Sequence, residues 1–307
     1  SSNIYNLHLD LKSKIYLHGP YQTFNISDPK PRNIHKAFVR DRLLHHAVYR
    51  ILYPYFDKRF ISDSYSCRLN KGTHKAINQF RNYAGKVSRN NTKQCWILKY
   101  DIRKFFANID HQILRYIVVR YVDDDTAWLL DRIVESFHTE RGSLRQAQDK
   151  KGLPLGNLTS QLLVNIYMNE FDQFIKHKLL STRVEALESK IKHYIRYADD
   201  FVIFHQDKSY LESLIPYISK YLETNLKLTL HPDKVFIKTL SSGIDFLGWV
   251  HFPNHRALRT VTKRRMLKKL ENNPSKETRV SYLGLLKHGN THKLKIKLDK
   301  ISYNVLN

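Results

Sequence analysis

The chain is predicted to be an α+β protein in which helices pack on one face of a sheet, and two observations predict it. Short apolar runs rich in β-branched and aromatic residues, Cys95 to Ile102 and Phe201 to Phe204, alternate with longer segments whose apolar residues recur at a helical period. Hydrophobic residues fill 42% of the 307 positions, enough for a real core and too many for a disordered chain.

Taken in order, residues 1–30 are polar and aromatic and end in Asp28-Pro29-Lys30-Pro31-Arg32, where two prolines hold the backbone extended or turning. An arm leading into the body is expected there. From Val39 to Phe56, Leu43, Leu44, Ala47, Val48, Ile51 and Leu52 recur at a helical period that ends near Pro54, and another helix spans His74 to Tyr83. The strand carrying Asp101 follows, then a helix opening at Asp110 and running through Ile113, Leu114, Ile117 and Val118. Asp123-Asp124-Asp125 suits the N-terminus of the next helix better than a metal site. Gly152-Leu153-Pro154-Leu155-Gly156-Asn157 is a rigid turn feeding an amphipathic helix, with Ser160-Gln161 at its start and Leu162 to Leu180 following. A hairpin around 197–204, a helix from Ser209 to Thr224, a strand from Lys227 to Leu230 and a strand pair around Phe236 and Phe246 complete the series. That β-α-β-β-α-β order reads as a ferredoxin-like sheet with helices on one face.

The hairpin holds the most informative residues. Tyr197-Ala198-Asp199-Asp200 sets two adjacent carboxylates between the apolar flanks Tyr194-Ile195-Arg196 and Phe201-Val202-Ile203-Phe204, at the tip of a strand-turn-strand. Buried carboxylates must be protonated, hydrogen-bonded, or neutralised by a base or a metal. Far upstream, Asp101 interrupts its own apolar strand just before Phe105-Phe106, and could share the site with Asp199. Three carboxylates make an oxygen-rich site suited to Mg²⁺, which keeps waters and takes substrate phosphates as further ligands. Such a site supports two-metal displacement at phosphorus.

A formal net charge of +24 points to a polyanionic partner, nucleic acid first. An anionic membrane is the alternative, yet no apolar run reaches the roughly 18 residues of a spanning helix, and no lipidation motif is present. No membrane partner is therefore expected. No signal peptide stands at the start, which reads Ser1-Ser2 without a Met, as when an upstream piece is missing, a tag remains or the end is processed. Cys67 and Cys95 are the only cysteines, too few for a disulfide framework or a four-cysteine zinc site, and a reducing cytoplasm fits. The 16 histidines are scattered; His45-His46 and His251/His255 lack the Cys or carboxylate spacing of zinc sites and are read mainly as surface or RNA-facing. After residue 250 the composition changes: Arg256, Arg259, Lys263, Arg264, Arg265, Lys268 and Lys269 crowd a helical stretch, and Lys287, Lys293, Lys295, Lys297 and Lys300 continue the charge. A separate basic helical subdomain able to track a phosphate backbone is expected.

Read together, seven blocks between about residues 28 and 250 resemble a reverse transcriptase. They are Pro29-Lys30-Pro31-Arg32 with Val39-Arg40-Asp41-Arg42, Ser64 to His74, Asp101 to Phe106, Gly152 to Gly156, Arg196 to Asp200, His231-Pro232-Asp233-Lys234, and Gly243 to Trp249. The resemblance implies a right-hand polymerase fold of fingers, ferredoxin-like palm and short helical thumb. The corresponding division is an N-terminal arm over 1–30, fingers over 31–95 with part of 140–165, palm over 96–250 and a basic thumb over 251–307.

It also implies roles. Asp101 and Asp199 match the metal-binding aspartates, Ile102 the residue whose carbonyl meets the metal entering with the nucleotide, and Asp200 a helper near the primer end. Lys30 and Arg32 match finger residues that grip the triphosphate. Phe106 matches the aromatic that excludes a ribose 2′-hydroxyl by clash, and Phe105 is read as core. Lys234 matches the residue that protonates leaving pyrophosphate. Phe246, Leu247, Gly248 and Trp249 match the primer grip, and Arg68, Lys71, Arg259, Lys263, Arg264 and Lys268 are assigned to nucleic acid. Two Mg²⁺ ions, with Mn²⁺ as substitute, are the expected cofactors; template RNA, a primer or cDNA strand, dNTPs and an accessory protein or structured RNA are the expected partners.

Group II intron and retroviral types usually carry Gln before the Gly of the fourth block, whereas this chain has Leu155-Gly156 followed by Asn157-Leu158-Thr159-Ser160-Gln161. That pattern resembles the reverse transcriptases of diversity-generating retroelements, which implies errors concentrated at template adenines. A phage-defence reverse transcriptase, an intron-maturase relative, and an RNA-binding protein that kept the fold without activity are the other readings.

Overall fold

A computed structural model describes residues 2–27, 31–137, 151–179, 191–272 and 275–298. Lys30, Lys300, the 140–150 part of the fingers and the end of the helix expected to reach Leu180 lie outside the described residues. Along the chain, α1 (Ser2–Lys12) precedes an antiparallel hairpin of β1 (Tyr21–Ile26) and β2 (Arg32–Ala37). Helices α2 (Val39–Asp57) and α3 (Thr73–Val87) lead to β3 (Trp96–Asp101), then α4 (His111–Val118), α5 (Asp124–Glu135) and α6 (Leu158–Gln173). Next come β4 (Tyr194–Tyr197), β5 (Asp200–His205), α7 (Lys208–Leu226) and β6 (Phe236–Thr239). A small second sheet of β7 (Ile244–Phe246), β8 (Trp249–His251) and β9 (Arg256–Leu258) precedes α8 (Thr260–Asn272) and α9 (Lys276–Leu286). No described helix is long and apolar enough to cross a membrane.

The main sheet runs β4-β5-β3-β6, with every neighbouring pair antiparallel. This is the ferredoxin-like order: the first strand, β3, is central, and the hairpin and last strand flank it. The caps follow local chemistry. Asp110 starts α4 by accepting the Ile113 N–H at 3.0 Å, and Asp123 starts α5 by accepting that of Thr126 at 2.8 Å.

Both faces of this sheet are covered, which corrects the expectation of helices on one face. Leu98, Tyr100, Phe201 and Ile203 join one core with residues of α6 and α7, while Ile97, Ile195, Val202 and Phe204 join a second with α3 and the β7–β8 hairpin. The Phe171 and Phe201 rings lie 5.1 Å apart on the first side, the Phe80 and Phe204 rings 4.8 Å apart on the second. A strand buried on both faces needs apolar residues at every position, and Phe201-Val202-Ile203-Phe204 supplies them without alternation. Each such side chain contributes about 1.5–3 kcal/mol by leaving water.

Three element boundaries also differ. Helix α2 continues past Pro54 to Asp57 because Tyr53 and Phe56 are buried and hold its last turn, while Pro54 faces solvent. Residues 227–230 form no strand: Lys227 ends α7 in the left-handed conformation, and only a single bridge joins Leu230 to Ile102. The strands around Phe236 and Phe246 do not pair, since β6 borders β3 whereas β7 pairs with β8 beyond a tight turn at Leu240–Ser242.

His45 is buried, correcting its reading as surface or RNA-facing; His251 and His111 are buried too. His45 Nδ1 lies 2.6 Å from the Thr159 hydroxyl and Nε2 lies 3.0 Å from His18 Nε2, while Asp41 accepts from the Tyr16 hydroxyl and the Gly19 N–H. This cluster ties residues 16–19 to α2. Burial, with help from the His18 charge, pushes His45 down to about 4. Its folded pKa lies below the unfolded one, so the neutral ring is favoured by folding, and stability is lost as pH falls from about 6.5 towards 4. The loss from this group is on the order of 3 kcal/mol. Urea unfolding of His45→Gln is expected to show a flatter acid limb than the wild type; equal slopes would contradict this.

Candidate active site

Strand register assembles the acids. Asp101, the last residue of β3, stands directly opposite Asp200, the first of β5, and the two side chains therefore share a face. Asp199 sits in the two-residue turn between β4 and β5, and its carbonyl accepts the Ile102 N–H at 3.3 Å. Ala198 takes a positive φ of 55°, a conformation disfavoured for residues with a Cβ.

Arg196 is fully buried and donates to both carboxylate oxygens of Asp172, at 2.7 Å from Nη2 and 2.8 Å from Nε. It also donates to the Ser64 hydroxyl at 3.0 Å and to the Ala198 carbonyl at 3.2 Å. Asp172 is fully buried as well and accepts from the Tyr194 hydroxyl at 2.8 Å. The hairpin tip is thereby tied to α6 and to the segment before α3.

The acids repel one another. Desolvation, then the neighbouring charge of Asp101, raises the pKa of Asp199. Desolvation pushes Asp200 up to about 7, opposed by Lys99 and reinforced by Asp199 and Asp101. Asp200 Oδ1 is buried without a hydrogen-bond partner among the described residues. Lys99, two residues before Asp101 on the same face of β3, brings Nζ to 3.2 Å from Asp200 Oδ2 and donates to the Asp245 carbonyl at 2.7 Å. Sequence reading missed Lys99, although a lone lysine in an apolar strand signals a buried counter-charge. Lys234 Nζ donates to Asp101 Oδ1 at 3.0 Å.

No group of three or more His, Cys, Asp and Glu side chains among the described residues forms a complete metal cage. The donor set fits Mg²⁺ nonetheless. Mutually destabilised carboxylates with an orphaned oxygen ask for positive charge, and Mg²⁺ is commonly held by one or two carboxylates with waters and phosphates completing the shell.

The Gly152–Asn157 segment links this site to β2. Leu153 N–H donates to the Phe106 carbonyl and Gly152 N–H to that of Ile109, both at 2.8 Å. Leu155 offers its carbonyl to His35 N–H at 2.8 Å, and Asn157 both donates to the His35 carbonyl and accepts from Ala37 N–H. Leu155 and Phe106 are half-buried, and Phe105 is core. Gly156 lies at φ 112°, and a Cβ there would sit 2.7 Å from Ile34 Cγ2, so only glycine lets the segment approach β2 this closely. Arg32, exposed on β2, is near enough to Asp199 for its charge to oppose the rise in that acid's pKa.

Several assigned contacts need correction. Phe246 and Trp249 are buried, Phe246 at 5.5 Å from the Phe80 ring, so their side chains anchor the β7–β8 hairpin and are not presented at the surface. Only the Leu247-Gly248 turn between them is presented, with φ values of 51° and 86°. Gly248 answers the demand of this turn for positive φ, and open space lies where its Cβ would be. Arg68 has a side chain only 5% exposed; it donates to Asp57 and to the carbonyls of Ile61 and Ser64, which commits it to the fold rather than to nucleic acid. Lys71 donates to the Ser62 carbonyl at an exposed edge. Arg259 pairs with Asp245 at 2.7 Å while staying half exposed, and Lys263, Arg264 and Lys268 are exposed on α8.

A family model described as "Reverse transcriptase (RNA-dependent DNA polymerase)" matches residues 27–286. Protein YkfC of Escherichia coli is 28% identical over 76% of this chain and 65% of its own length. The group II intron-encoded protein LtrA of Lactococcus lactis is 23% identical over 78% of this chain and 48% of its own. The chain thus spans less than two thirds of these relatives. Among solved structures, telomerase of Candida albicans in complex with a TWJ fragment of telomeric RNA superposes with a TM-score of 0.56 at 12% identity, covering 92% of this chain and 55% of that one. The telomerase likeness concerns the fold, a right-hand polymerase architecture.

Proposed function

The chain belongs to the reverse transcriptase (RNA-dependent DNA polymerase) family, and from that premise we propose that it copies a template RNA into cDNA by adding dNTPs to a primer 3′-OH, releasing pyrophosphate. The observation that carries this reading is the Asp101–Asp200 register pair with Asp199 at the adjoining turn. Asp101, Asp199 and the Ile102 carbonyl would hold two Mg²⁺ ions, or Mn²⁺ in their place. Such ions, when bound, would supply Lewis acidity for the attacking oxygen and positive charge against that developing on phosphate.

The remaining roles belong to the chain itself. Arg32, with Lys30 outside the described residues, grips the triphosphate. Phe106 blocks a 2′-hydroxyl, and Leu155 and Gly156 floor the nascent pair. Lys234, held beside Asp101, protonates the leaving pyrophosphate. The Leu247-Gly248 turn supports the primer by its backbone, while Lys71, Arg259, Lys263, Arg264 and Lys268 take phosphates. We place the arm, fingers and palm as the family blocks suggest and begin the thumb at α8, because β8 and β9 pair across the 250/251 boundary. Primer extension on an RNA template by the purified chain tests this reading; no product with either Mg²⁺ or Mn²⁺ would refute it.

Leu155 further supports an error-prone enzyme of the retroelement-diversifying kind. Its aliphatic side chain cannot supply the polar contact a glutamine makes beside the nascent pair, so hydrogen bonding discriminates less there. Leu155→Gln is expected to cut misincorporation opposite template adenine by up to about tenfold, one hydrogen bond's worth. Sequenced products with the same adenine error rate in both enzymes would remove this subtype. The similarity to LtrA favours a second reading, an intron-encoded type. In either case a structured RNA or accessory protein is the partner the basic exterior suits.

A further inference from the structure

Strand β3 alternates across the main sheet. Leu98 and Tyr100 enter the first core and Ile97 the second, so Lys99 stands on the side of the second core, where the β7–β8 hairpin packs. Its side chain is only 14% exposed, and an ammonium at that depth has to be paired and hydrogen-bonded to be tolerated. The partners lie in two different sheets. Nζ is 3.2 Å from Asp200 Oδ2 at the start of β5 and donates at 2.7 Å to the Asp245 carbonyl in β7. The carboxylate alone would neutralise the charge, whereas the second bond ties the main sheet to the small one.

The tie continues past Asp245. Its carboxylate pairs with Arg259 at 2.7 Å, and the Arg259 N–H donates to the Gly248 carbonyl at 3.1 Å. In the hairpin Phe246 stands opposite Trp249, so Leu247-Gly248 is the turn of the strand that Lys99 holds. Nothing lies within 4 Å of where a Gly248 Cβ would be, and the turn gains no packing there. Asp200, Lys99, Asp245, Arg259 and Gly248 therefore form one connected path, from a carboxylate of the candidate active site to the turn proposed to support the primer.

We infer that Lys99 is a positioning residue: with Asp245 and Arg259 it holds the Leu247-Gly248 turn in place against the acids, and through the turn it sets where the primer 3′ end lies. This rests on the polymerase reading and deepens it with a residue to which that reading gives no role. Nucleotide addition needs the 3′ oxygen in line with the α-phosphate, and a displacement of about 1 Å can cost on the order of 100-fold in rate. Two variants cut the path at different links. Lys99→Met keeps the side chain's length and removes the ammonium, while Asp245→Ala removes the pair with Arg259 and leaves the carbonyl that Lys99 uses. For each, single-turnover extension of a matched primer on RNA across dNTP concentrations gives the maximal rate, the amplitude and the Kd for dNTP. A 2-aminopurine as the primer's terminal base, read before dNTP is added, reports how firmly that end is held.

Both variants are expected to lower the maximal rate by about 10- to 100-fold with the Kd for dNTP within about twofold of the wild type, and both to raise the 2-aminopurine signal. The double variant should be no slower than the slower single one, as two links of one path require. A merely structural Lys99 would lower the amplitude, which counts folded enzyme, and leave the rate and the fluorescence alone. Either variant at the wild-type rate and fluorescence overturns the inference; Asp245→Ala at wild type would mean that Lys99 serves Asp200 alone. The Asp245 side chain is 34% exposed, so its variant decides the matter even where Lys99→Met does not fold. A wild type that extends no primer refutes the polymerase reading and the inference with it, whereas a wild type that extends beside unaffected variants refutes the inference only.

Discussion

Asp199→Asn is expected to lower primer extension by about 10³-fold or more while leaving RNA affinity within about twofold of the wild type. The substitution keeps the shape of the turn, because the Asp199 carbonyl that accepts from Ile102 is backbone and survives. It removes the charge through which a divalent ion would be held, in a site where burial and Asp101 already work against that charge. On the proposed function, RNA affinity would rest on the basic surface of α8 and its surroundings, which the change does not touch. Single-turnover extension with a labelled primer, together with filter binding of the same duplex, gives both numbers. Extension at the wild-type rate would show that the hairpin acid has no part in the chemistry.

Arg196→Met is expected to cost about 3–5 kcal/mol of stability, the penalty of leaving a buried charge without its partner. Asp172 is wholly enclosed and would keep only the Tyr194 hydroxyl, while Ser64 and the Ala198 carbonyl would also lose their donor. The double variant Arg196→Met/Asp172→Leu removes the orphaned charge and should regain most of the loss. Its extension rate should stay low, since Ala198, at positive φ beside Asp199, then lacks the Arg196 donor to its carbonyl. Urea denaturation of the wild type and both variants tests the first claim, and an Arg196→Met protein as stable as the wild type would contradict it.

The parts of this architecture legible in the sequence are those written in local chemistry. Asp199-Asp200 between apolar β-prone flanks gave the hairpin, and Asp101 gave the strand that meets it, because a carboxylate in such a run needs a reason. Caps at Asp110 and Asp123 follow from their side chains alone. The rest required knowing what packs against what. Phe246 and Trp249 read as contacts to a primer until the second core shows them filling it. Arg68 reads as a surface cation until Asp57 is found opposite. His45 was more legible than its reading: it lies four residues after Asp41 and one after Leu44, on the buried face of α2. The unbroken Phe201–Phe204 run likewise announced a sheet covered on both sides. Arg196, a cation inside an apolar strand, implied a buried acid, but nothing local identified Asp172 as that acid.

On the proposed function, Asp101 and Asp199, nearly a hundred positions apart, jointly hold a pair of metal ions against a nucleotide's phosphates. Electron paramagnetic resonance of Mn²⁺ added to the chain with primer, template RNA and a non-incorporable dNTP analogue measures this directly. An exchange-coupled Mn²⁺ pair that disappears in Asp101→Asn is expected. Isolated Mn²⁺ signals indifferent to that substitution would contradict it.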